Sequence, residues 1–185
     1  MLYSGSTKIK DVYFGSTKIK EIYKGSTLVY SAGYPSGTIL FENSAAGTYT
    51  LQVDYDCTIH LDLVGGGGGG GFSGLSNKTG GSGAYISGDM TLTAGTYTII
   101  IGSGGAGAFS GSDGGNSSFE SNVSGGGKGA SSSNGQGGTA TVVTAGLTGQ
   151  NGSTGDSTGW INTYGAGGTG SSGNGTDGYC KIEVV

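Results

Sequence analysis

The sequence contains no arginine, and it has only one proline and one histidine in 185 residues. The lack of arginine excludes the arginine-glycine segments that bind RNA, and a formal net charge of −4 disfavours any partner with a phosphate backbone. We therefore predict no nucleic-acid partner. The sequence also has no apolar run of membrane-spanning length, and its start, MLYSGSTKIK, lacks the order of a secretion signal. We expect no membrane insertion, and synthesis in a cytoplasm without a signal peptide.

Side chains suited to catalysis are scarce. His60 lies on the polar face of a predicted strand between Thr58 and Asp62, and the sequence places no nucleophile beside it, so we interpret it as a surface residue. Cys57 and Cys180 fall on apolar strand faces, which suits either two buried thiols or one disulfide. We predict that the protein is not an enzyme, with no catalytic residue and no cofactor.

Glycine is abundant instead, with 45 residues in all and a run of seven at Gly65–Gly71. Only 11% of the residues are charged and eleven are tyrosines, which favours a folded chain over a disordered one. Glycine has no side chain to bury, but extended polyglycine II helices can pack side by side and bond through their backbone groups. We predict such a body over residues 65–178. The alternative is a set of flexible glycine-serine linkers.

Alternating apolar residues predict β-strands near 48–64, 91–101 and 179–185. The pentapeptide AGTYT opens a strand twice, at 46–50 and at 94–98. We expect the residues Asp54-Tyr55-Asp56 to break the first strand into a hairpin, and Tyr97–Ile101 and Tyr179–Val185 to join one small sheet. No segment has the pattern of an amphipathic helix. The predicted fold class is therefore all-β and irregular, with essentially no α-helix.

The first thirty residues repeat with a period of ten, as LYSGSTKIKD, VYFGSTKIKE and IYKGSTLVYS. Each unit is a short β-prone run with a Gly-Ser-Thr turn at Gly5, Gly15 or Gly25. One unit buries little, so it would be stable only against neighbouring units or other copies of the chain. We predict an attachment or oligomerisation module over residues 1–33 and a glycine-rich domain over 34–185. The alternative for 1–33 is a flexible tail.

The order of four segments in the chain resembles that of a known domain. CTIHLDLVGGGGGGG, SGAYISGDMTLTAGTYTIIIGSGGAG, GGNSSFESNVSGGGKGA and DGYCKIEVV follow one another in the chain. This series resembles the glycine-rich domain found at the ends of bacteriophage tail fibres and tail adhesins, and the ten-residue repeats resemble those that precede it. The resemblance implies a virion protein that binds a host surface receptor, either a glycan or an outer-surface protein. It also implies a homotrimer that contacts other virion proteins through residues 1–33. The alternative is a structural virion component, such as a head fibre, a capsid decoration or a fibre junction.

In such a protein we expect the receptor-binding side chains where the glycine clusters pause. The richest stretch is 149–168, whose aromatic rings could stack on a sugar or a receptor loop while polar groups form hydrogen bonds. The alternative is that these aromatic residues cap the glycine-rich body. The candidates are Trp160, Tyr164, Asn162 and Asp156, followed by Phe109 and Phe119.

Three aspartates in the glycine-rich region invite a comparison with calcium-binding repeats. Asp113 lies in GSDGGNSSF, but a single copy is not a repeat array. We interpret Asp113, Asp156 and Asp177 as hydrogen-bonding turn residues and predict no metal site, with calcium as the alternative.

Overall fold

The structure is a computed structural model that describes residues 3–4, 7–8, 12–14, 16–19, 21–24, 27–31 and 33–185. Its fold is all-β, and the described residues include one short 3-10 turn, Ile161–Thr163. Each ten-residue repeat contains a two-stranded antiparallel hairpin. The hairpins pair β1 (Tyr3–Ser4) with β2 (Thr7–Lys8), β3 (Val12–Phe14) with β4 (Thr17–Ile19), and β5 (Glu21–Lys24) with β6 (Thr27–Ser31). The predicted turn positions Gly5, Gly15 and Gly25 lie outside the described residues.

Two five-stranded antiparallel sheets follow. The first sheet has the order β17-β12-β9-β18-β7, and the second sheet has the order β16-β15-β14-β13-β8. The strands of the first sheet are β7 (Ile39–Asn43), β9 (Cys57–Val64), β12 (Tyr85–Leu92), β17 (Leu147–Gln150) and β18 (Tyr179–Val184). Those of the second are β8 (Gly47–Val53), β13 (Gly95–Ile101), β14 (Ser117–Phe119), β15 (Asn122–Ser124) and β16 (Ala140–Thr141). A separate hairpin pairs β10 (Gly71–Ser73) with β11 (Ser76–Lys78).

The hydrophobic core lies between the two sheets. Each long strand buries every second residue, as the alternation in the sequence predicts. Within β9 the side chains of Ile59, Leu61 and Leu63 are completely buried, and from the second sheet Ile99 and Phe119 pack into the same cluster. The other face of each sheet carries mostly polar residues.

Two expectations about strand pairing are wrong. Asp54-Tyr55-Asp56 does not close a hairpin, because β8 and β9 lie in different sheets. The segments Tyr97–Ile101 and Tyr179–Val185 do not share a sheet either, since β13 belongs to the second sheet and β18 to the first. Alternation shows only that a strand has one buried face. A sandwich core needs apolar faces from two opposed layers, so the chain crosses from one sheet to the other after β8.

The two AGTYT copies form equivalent strands that pair with each other. In this antiparallel pair Tyr49 lies opposite Ile99, and Tyr97 lies opposite Leu51. The Tyr49 hydroxyl donates to the carbonyl of Ala45 at 2.7 Å, and the Tyr97 hydroxyl donates to the carbonyl of Thr93 at 2.8 Å. The repeated pentapeptide thus forms the same local structure twice, in which a tyrosine near the start of the strand binds a carbonyl of the preceding loop.

Beyond the sandwich the extended glycine-rich segments pack into what we call the glycine block. Strands β10 to β17 interrupt the sequence of this region, so the block is assembled from separate pieces of chain. Its segments are residues 65–70, 80–84, 102–107, 111–116, 125–130, 134–139, 151–153, 166–168 and 173–178.

The run 65–70 is the buried centre of the block, and its amides point to three neighbours in turn. Successive N–H groups of residues 65 to 70 donate to the carbonyls of Ala84, Gly115, Thr176, Gly81, Ser112 and Gly173, at 2.8 to 3.1 Å. The acceptor segment therefore recurs every third residue. A period of three with all bonds directed outward is the geometry of polyglycine II.

Three further segments donate to the same central run. From the first segment, the amides of Gly127 and Ala130 donate to the carbonyls of Gly66 and Gly69. From the second, the amides of Gly105 and Ala108 donate to Gly67 and Gly70. From the third, the amide of Gly168 donates to Gly68. The centre is thus surrounded by three acceptor segments and three donor segments. Backbone hydrogen bonds therefore hold these segments together, as side-chain packing does in an ordinary core.

The close approach of these segments explains the requirement for glycine. A Cβ on Gly67 would overlap the carbonyl of Ala166, and a Cβ on Gly68 would overlap that of Lys128. Each of the residues Gly65–Gly71 would meet a backbone carbonyl in this way. Any side chain in the run would therefore push a neighbouring segment away and break its hydrogen bonds.

The sandwich and the block are stacked end to end. Strand β9 continues directly into the central run, and together they span about 45 Å, from eight strand residues at about 3.3 Å and six at about 3.1 Å. At the far end of the sandwich, which we call the base, the Tyr34 ring lies 5.5 Å from that of Tyr55. The Tyr34 hydroxyl accepts a hydrogen bond from the amide of Asp54 at 2.7 Å. The chain that follows the repeats thus enters the domain at the base.

Candidate functional site

The end of the block opposite the base carries a group of connecting loops, the tip loops, which are residues 71–79, 107–110, 131–134 and 169–172. Backbone contacts tie them together. The amide of Phe72 donates to the carbonyl of Phe109 at 3.2 Å, and the amide of Gly170 donates to that of Lys78 at 3.1 Å. The amide of Thr79 donates to the Asn134 side chain at 3.1 Å. Four separate stretches of the sequence therefore form one surface.

The tip loops expose large apolar side chains. Leu75 is 102% exposed, and Phe109 is 74% exposed with its ring 6.5 Å from that of Phe72. Leu75 projects from the turn of the β10–β11 hairpin, where Gly74 has a φ of +60° that favours glycine. Such residues protruding from a rigid support can fill a pocket on a partner.

Around these residues the tip is polar but almost uncharged. Lys78 is the only charged residue in the sequence of the four loops, whose other polar residues are serine, threonine and asparagine. The hydroxyls of Thr79 and Thr169 lie 3.3 Å apart across two loops. A surface that combines exposed apolar side chains with hydroxyl and amide groups can bind by contact area and neutral hydrogen bonds rather than by ion pairing.

Of the residues predicted from the sequence to bind a receptor, Phe109 alone lies on the tip loops. The aromatic pattern of the sequence does not indicate Leu75, because its side chain is aliphatic. The signal that could have found it is the dipeptide Gly-Leu between the short runs GFS and SNK, a pattern typical of a two-residue hairpin turn with an exposed second residue.

Trp160 and Tyr164 lie instead on the outer face of the first sheet, where it meets the block. The Trp160 indole donates to the carbonyl of Gly83 at 2.7 Å, and its ring lies 5.3 Å from that of Tyr85. Tyr164 stacks on Tyr179 at 4.6 Å with an interplanar angle of 4°. Both rings are half-buried, and these contacts favour the alternative in which they cover part of the glycine-rich body.

Asp156 and Asn162 belong to the same loop as Trp160. Burial raises the pKa of Asp156, but hydrogen bonds led by those from Thr158 outweigh it and hold the pKa below its usual value. Asn162 is exposed with a φ of +50°, and Thr163 follows with a φ of +72°. The Thr163 carbonyl accepts the hydroxyl of Thr176 at 2.8 Å, which helps to hold this left-handed turn.

Phe119 must be removed from the candidate site. Its side chain is completely buried in the core, and its ring lies 5.8 Å from that of Tyr97. Phe119 occupies an inward position of β14, so the alternation of the second sheet directs it between the sheets.

Comparison with known families identifies the glycine-rich part of the chain. The model of a family described as a glycine-rich domain matches residues 43–181, well over half of the chain. The chain belongs to this glycine-rich domain family. The match runs from the end of β7 to the middle of β18, so it includes the block, the whole second sheet and the central part of the first sheet, but not the repeats. No curated protein matches the chain.

The edges of the block in this glycine-rich domain are closed by acidic and amide side chains. Oδ1 of Asp113 and of Asn116 accepts the amides of Gly129 and Gly126, each at 2.9 Å. The same spacing of three recurs where Asn174 and Asp177 accept the amides of Gly107 and Gly104, at 2.8 and 2.7 Å. These side-chain oxygens stand where a further extended segment would present its carbonyls.

A hydrogen bond from Lys128 and a second from the amide of Gly129 hold the pKa of Asp113 below its usual value. In the described part of the chain, no group of three or more histidine, cysteine or acidic residues is arranged to hold a metal ion.

His60 lies on the polar outer face of β9, and the neighbouring strand β12 brings a serine and an aspartate to its ring. Nδ1 of His60 lies 2.6 Å from Asp89, and Nε2 lies 3.1 Å from the hydroxyl of Ser87. The hydroxyl of Ser87 also donates to Asp62 at 2.9 Å. These residues come from neighbouring strands, a proximity that the sequence alone does not reveal.

A serine, a histidine and an aspartate lie together here, as in a catalytic triad, but their hydrogen bonds differ from those of a triad. The single hydroxyl proton of Ser87 has a carboxylate acceptor in Asp62, so His60 does not need to accept it. Ser87 also lies in the middle of β12, paired on both sides, so the amides beside it serve the sheet rather than an oxyanion hole. We interpret the cluster as a surface network between β9 and β12. That the protein is not an enzyme remains a prediction.

The two cysteines are free thiols. Burial, followed by the charge of Asp62, raises the pKa of Cys180, and burial, followed by the charge of Asp56, raises that of Cys57. Both thiols are therefore poor nucleophiles in the folded chain. None of the described segments forms a helix long and apolar enough to cross a membrane.

Proposed function

We propose that this chain is a bacteriophage virion protein of the tail-fibre or adhesin type, whose tip loops bind the surface of the host cell. One observation carries the proposal. Loops from four parts of the sequence meet on the end of a backbone-bonded block, opposite the base where the repeats join the domain. This polarity suits a protein that attaches at one end and makes contact at the other.

Rigidity of the block supports this role. The N–H groups of residues 65–70 all have carbonyl partners, and the same segments lead directly into the tip loops. Loops held in one conformation before binding lose less entropy when they meet a partner. The block therefore lets short, polar loops serve as a binding surface without a large hydrophobic core beneath them.

The chemistry of the tip suits a host surface receptor, either a glycan or an outer-surface protein. Leu75 and Phe109 supply exposed apolar area, and the serine and threonine hydroxyls of the tip loops can donate and accept hydrogen bonds. In this proposal residues 1–33 contact other virion proteins, and the assembled protein is a homotrimer.

A structural virion component is the second candidate, as a head fibre, a capsid decoration or a fibre junction. This candidate needs no receptor-binding side chains, and three of those predicted, Trp160, Tyr164 and Phe119, make contacts within the domain instead. Electron microscopy of particles labelled with an antibody against the protein would separate the two, because an adhesin lies at the free end of a fibre, whereas a junction lies within a fibre and a head fibre or decoration lies on the capsid.

Competition for host attachment tests the adhesin role. Purified wild-type protein should block adsorption of the phage to susceptible bacteria, and a variant with Leu75→Ser and Phe109→Ser should lose at least tenfold in this inhibition. The matched control is Val143→Ser, which removes another exposed apolar side chain, 63% exposed and away from the tip. All three proteins should have the same melting temperature. Equal inhibition by the tip variant and the control would refute the assignment of the tip.

A further inference from the structure

We propose that the outer face of the second sheet is an interface with a second copy of this chain. The proposal concerns assembly and does not depend on the role of the tip. The outward residues of its strands are Thr48, Thr50, Gln52, Thr96, Thr98, Ile100, Ser118, Val123 and Thr141. None of them is charged.

The strand register gathers these side chains into one surface. Thr98 lies opposite Thr50, and Ile100 lies opposite both Thr48 on one neighbouring strand and Ser118 on the other. The threonines of β8 and β13 are exposed, and Ile100 is 40% exposed. The face therefore presents methyl groups and hydroxyls in regular rows.

The outer face of the first sheet is very different. It carries Glu42, Asp62, Asp89 and Glu183 together with Lys181 and His60. Two copies of a chain with a net charge of −4 would repel each other through this face. They can approach through the second sheet without placing like charges together.

The chemistry of the uncharged face suits a copy of itself as the partner. A threonine hydroxyl both donates and accepts hydrogen bonds, so rows of threonine can pair with identical rows. Removing hydroxyl groups from water costs far less than removing charges, and the methyl groups and Ile100 add apolar contact.

The edge of the second sheet gives an independent indication. Strand β8 is the outermost strand of that sheet and contains GTYTLQV, with no charge and no proline. Folded proteins usually protect a long edge strand with a lysine, a proline or a bulge, because bare edges pair with other chains. In contrast β7, at the edge of the first sheet, carries Glu42 and faces β18 through an irregular register. The unprotected edge and the uncharged face thus adjoin on the same sheet.

Sedimentation of the full chain tests this interface. The wild type should self-associate, and Thr98→Glu should weaken the association at least tenfold, because it brings a carboxylate into an interface between acidic copies. The matched control is Thr58→Glu, at an exposed threonine on the outer face of the first sheet, and it should associate like the wild type. Thr50→Glu repeats the test on the neighbouring strand should Thr98→Glu fail to fold.

Three results would overturn the proposal. They are a wild-type chain that stays monomeric at all concentrations, a folded Thr98→Glu or Thr50→Glu chain that assembles like the wild type, and a Thr58→Glu chain that dissociates equally.

Discussion

The backbone amide of Gly67 donates a hydrogen bond to the carbonyl of Thr176 at 2.9 Å, across a distance of more than one hundred residues in the sequence. Both groups lie inside the glycine block, where an unpaired amide would be costly. Bonds of this kind replace side-chain packing, so the stability of the block depends on keeping every Cβ out of its centre.

Replacing Gly67 by alanine should therefore destabilise the protein by at least about 3 kcal/mol or prevent folding, because the new methyl group would overlap the carbonyl of Ala166. The measurement is the free energy of unfolding by chemical denaturation. The control is Gly95→Ala, where the nearest atom to a new Cβ is 3.9 Å away, and it should change the free energy by less than about 0.5 kcal/mol. Similar losses for both variants would contradict the block as described.

The amides of residues 66–70 should exchange with deuterium far more slowly than those of the exposed turn at Gly74 and Leu75, since the former are buried and hydrogen-bonded. Hydrogen exchange followed by mass spectrometry or NMR gives the comparison within one protein. Complete exchange of 66–70 within seconds would mean that the segments do not form a packed block.

Asn116→Ala should cost about 1 kcal/mol, because the amide of Gly126 loses its acceptor at the edge of the block. Asn116→Asp preserves an acceptor oxygen and should retain most of the stability. Thermal unfolding of the two variants beside the wild type measures the difference. The role of the side chain as a cap would be disproved by an aspartate variant that is no better than the alanine variant.

The contact between Asp113 and Lys128 should make a small, acid-sensitive contribution to stability. The pKa of Asp113 is lowered in the folded chain by its hydrogen bonds with Lys128 and Gly129. The stabilisation is therefore present above the unfolded aspartate value of about 3.9, and it is lost as the pH falls through the lower, folded value.

Asp113→Asn keeps an oxygen for Gly129 but loses the ion pair. Both side chains are more than half exposed, so the expected loss at pH 7 is below about 1 kcal/mol and should shrink in acid. A difference between wild type and variant that grew as the pH fell would have the opposite sign to that expected.

Cys180 should resist alkylation in the folded protein, and Cys57 should react first. Cys180 is completely buried and Cys57 is partly exposed, and the pKa of each is raised mainly by burial. Mass spectrometry after labelling with iodoacetamide distinguishes the sites, and labelling in denaturant under non-reducing conditions should add two groups. A single disulfide would leave both unlabelled.

Several features of this protein could be read from the order of its residues. A run of seven glycines can adopt few stable folded structures. Alternating apolar residues, as in CTIHLDLV, predict a strand with one buried face, and this prediction does not depend on the strand's partners. The structure confirms the all-β class. The sequence predicted this class because no segment has the 3.6-residue period of an amphipathic helix.

Only the tertiary structure shows which distant segments contact each other. The sequence does not show that β8 and β9 lie in opposite sheets, that Ser87 and Asp89 reach His60, or that Leu75 and Phe109 share the tip. Local pattern fixes the conformation and the buried face of a segment, since both depend on neighbouring residues. Which segments meet depends on satisfying every buried backbone group at once, and that condition belongs to the whole fold.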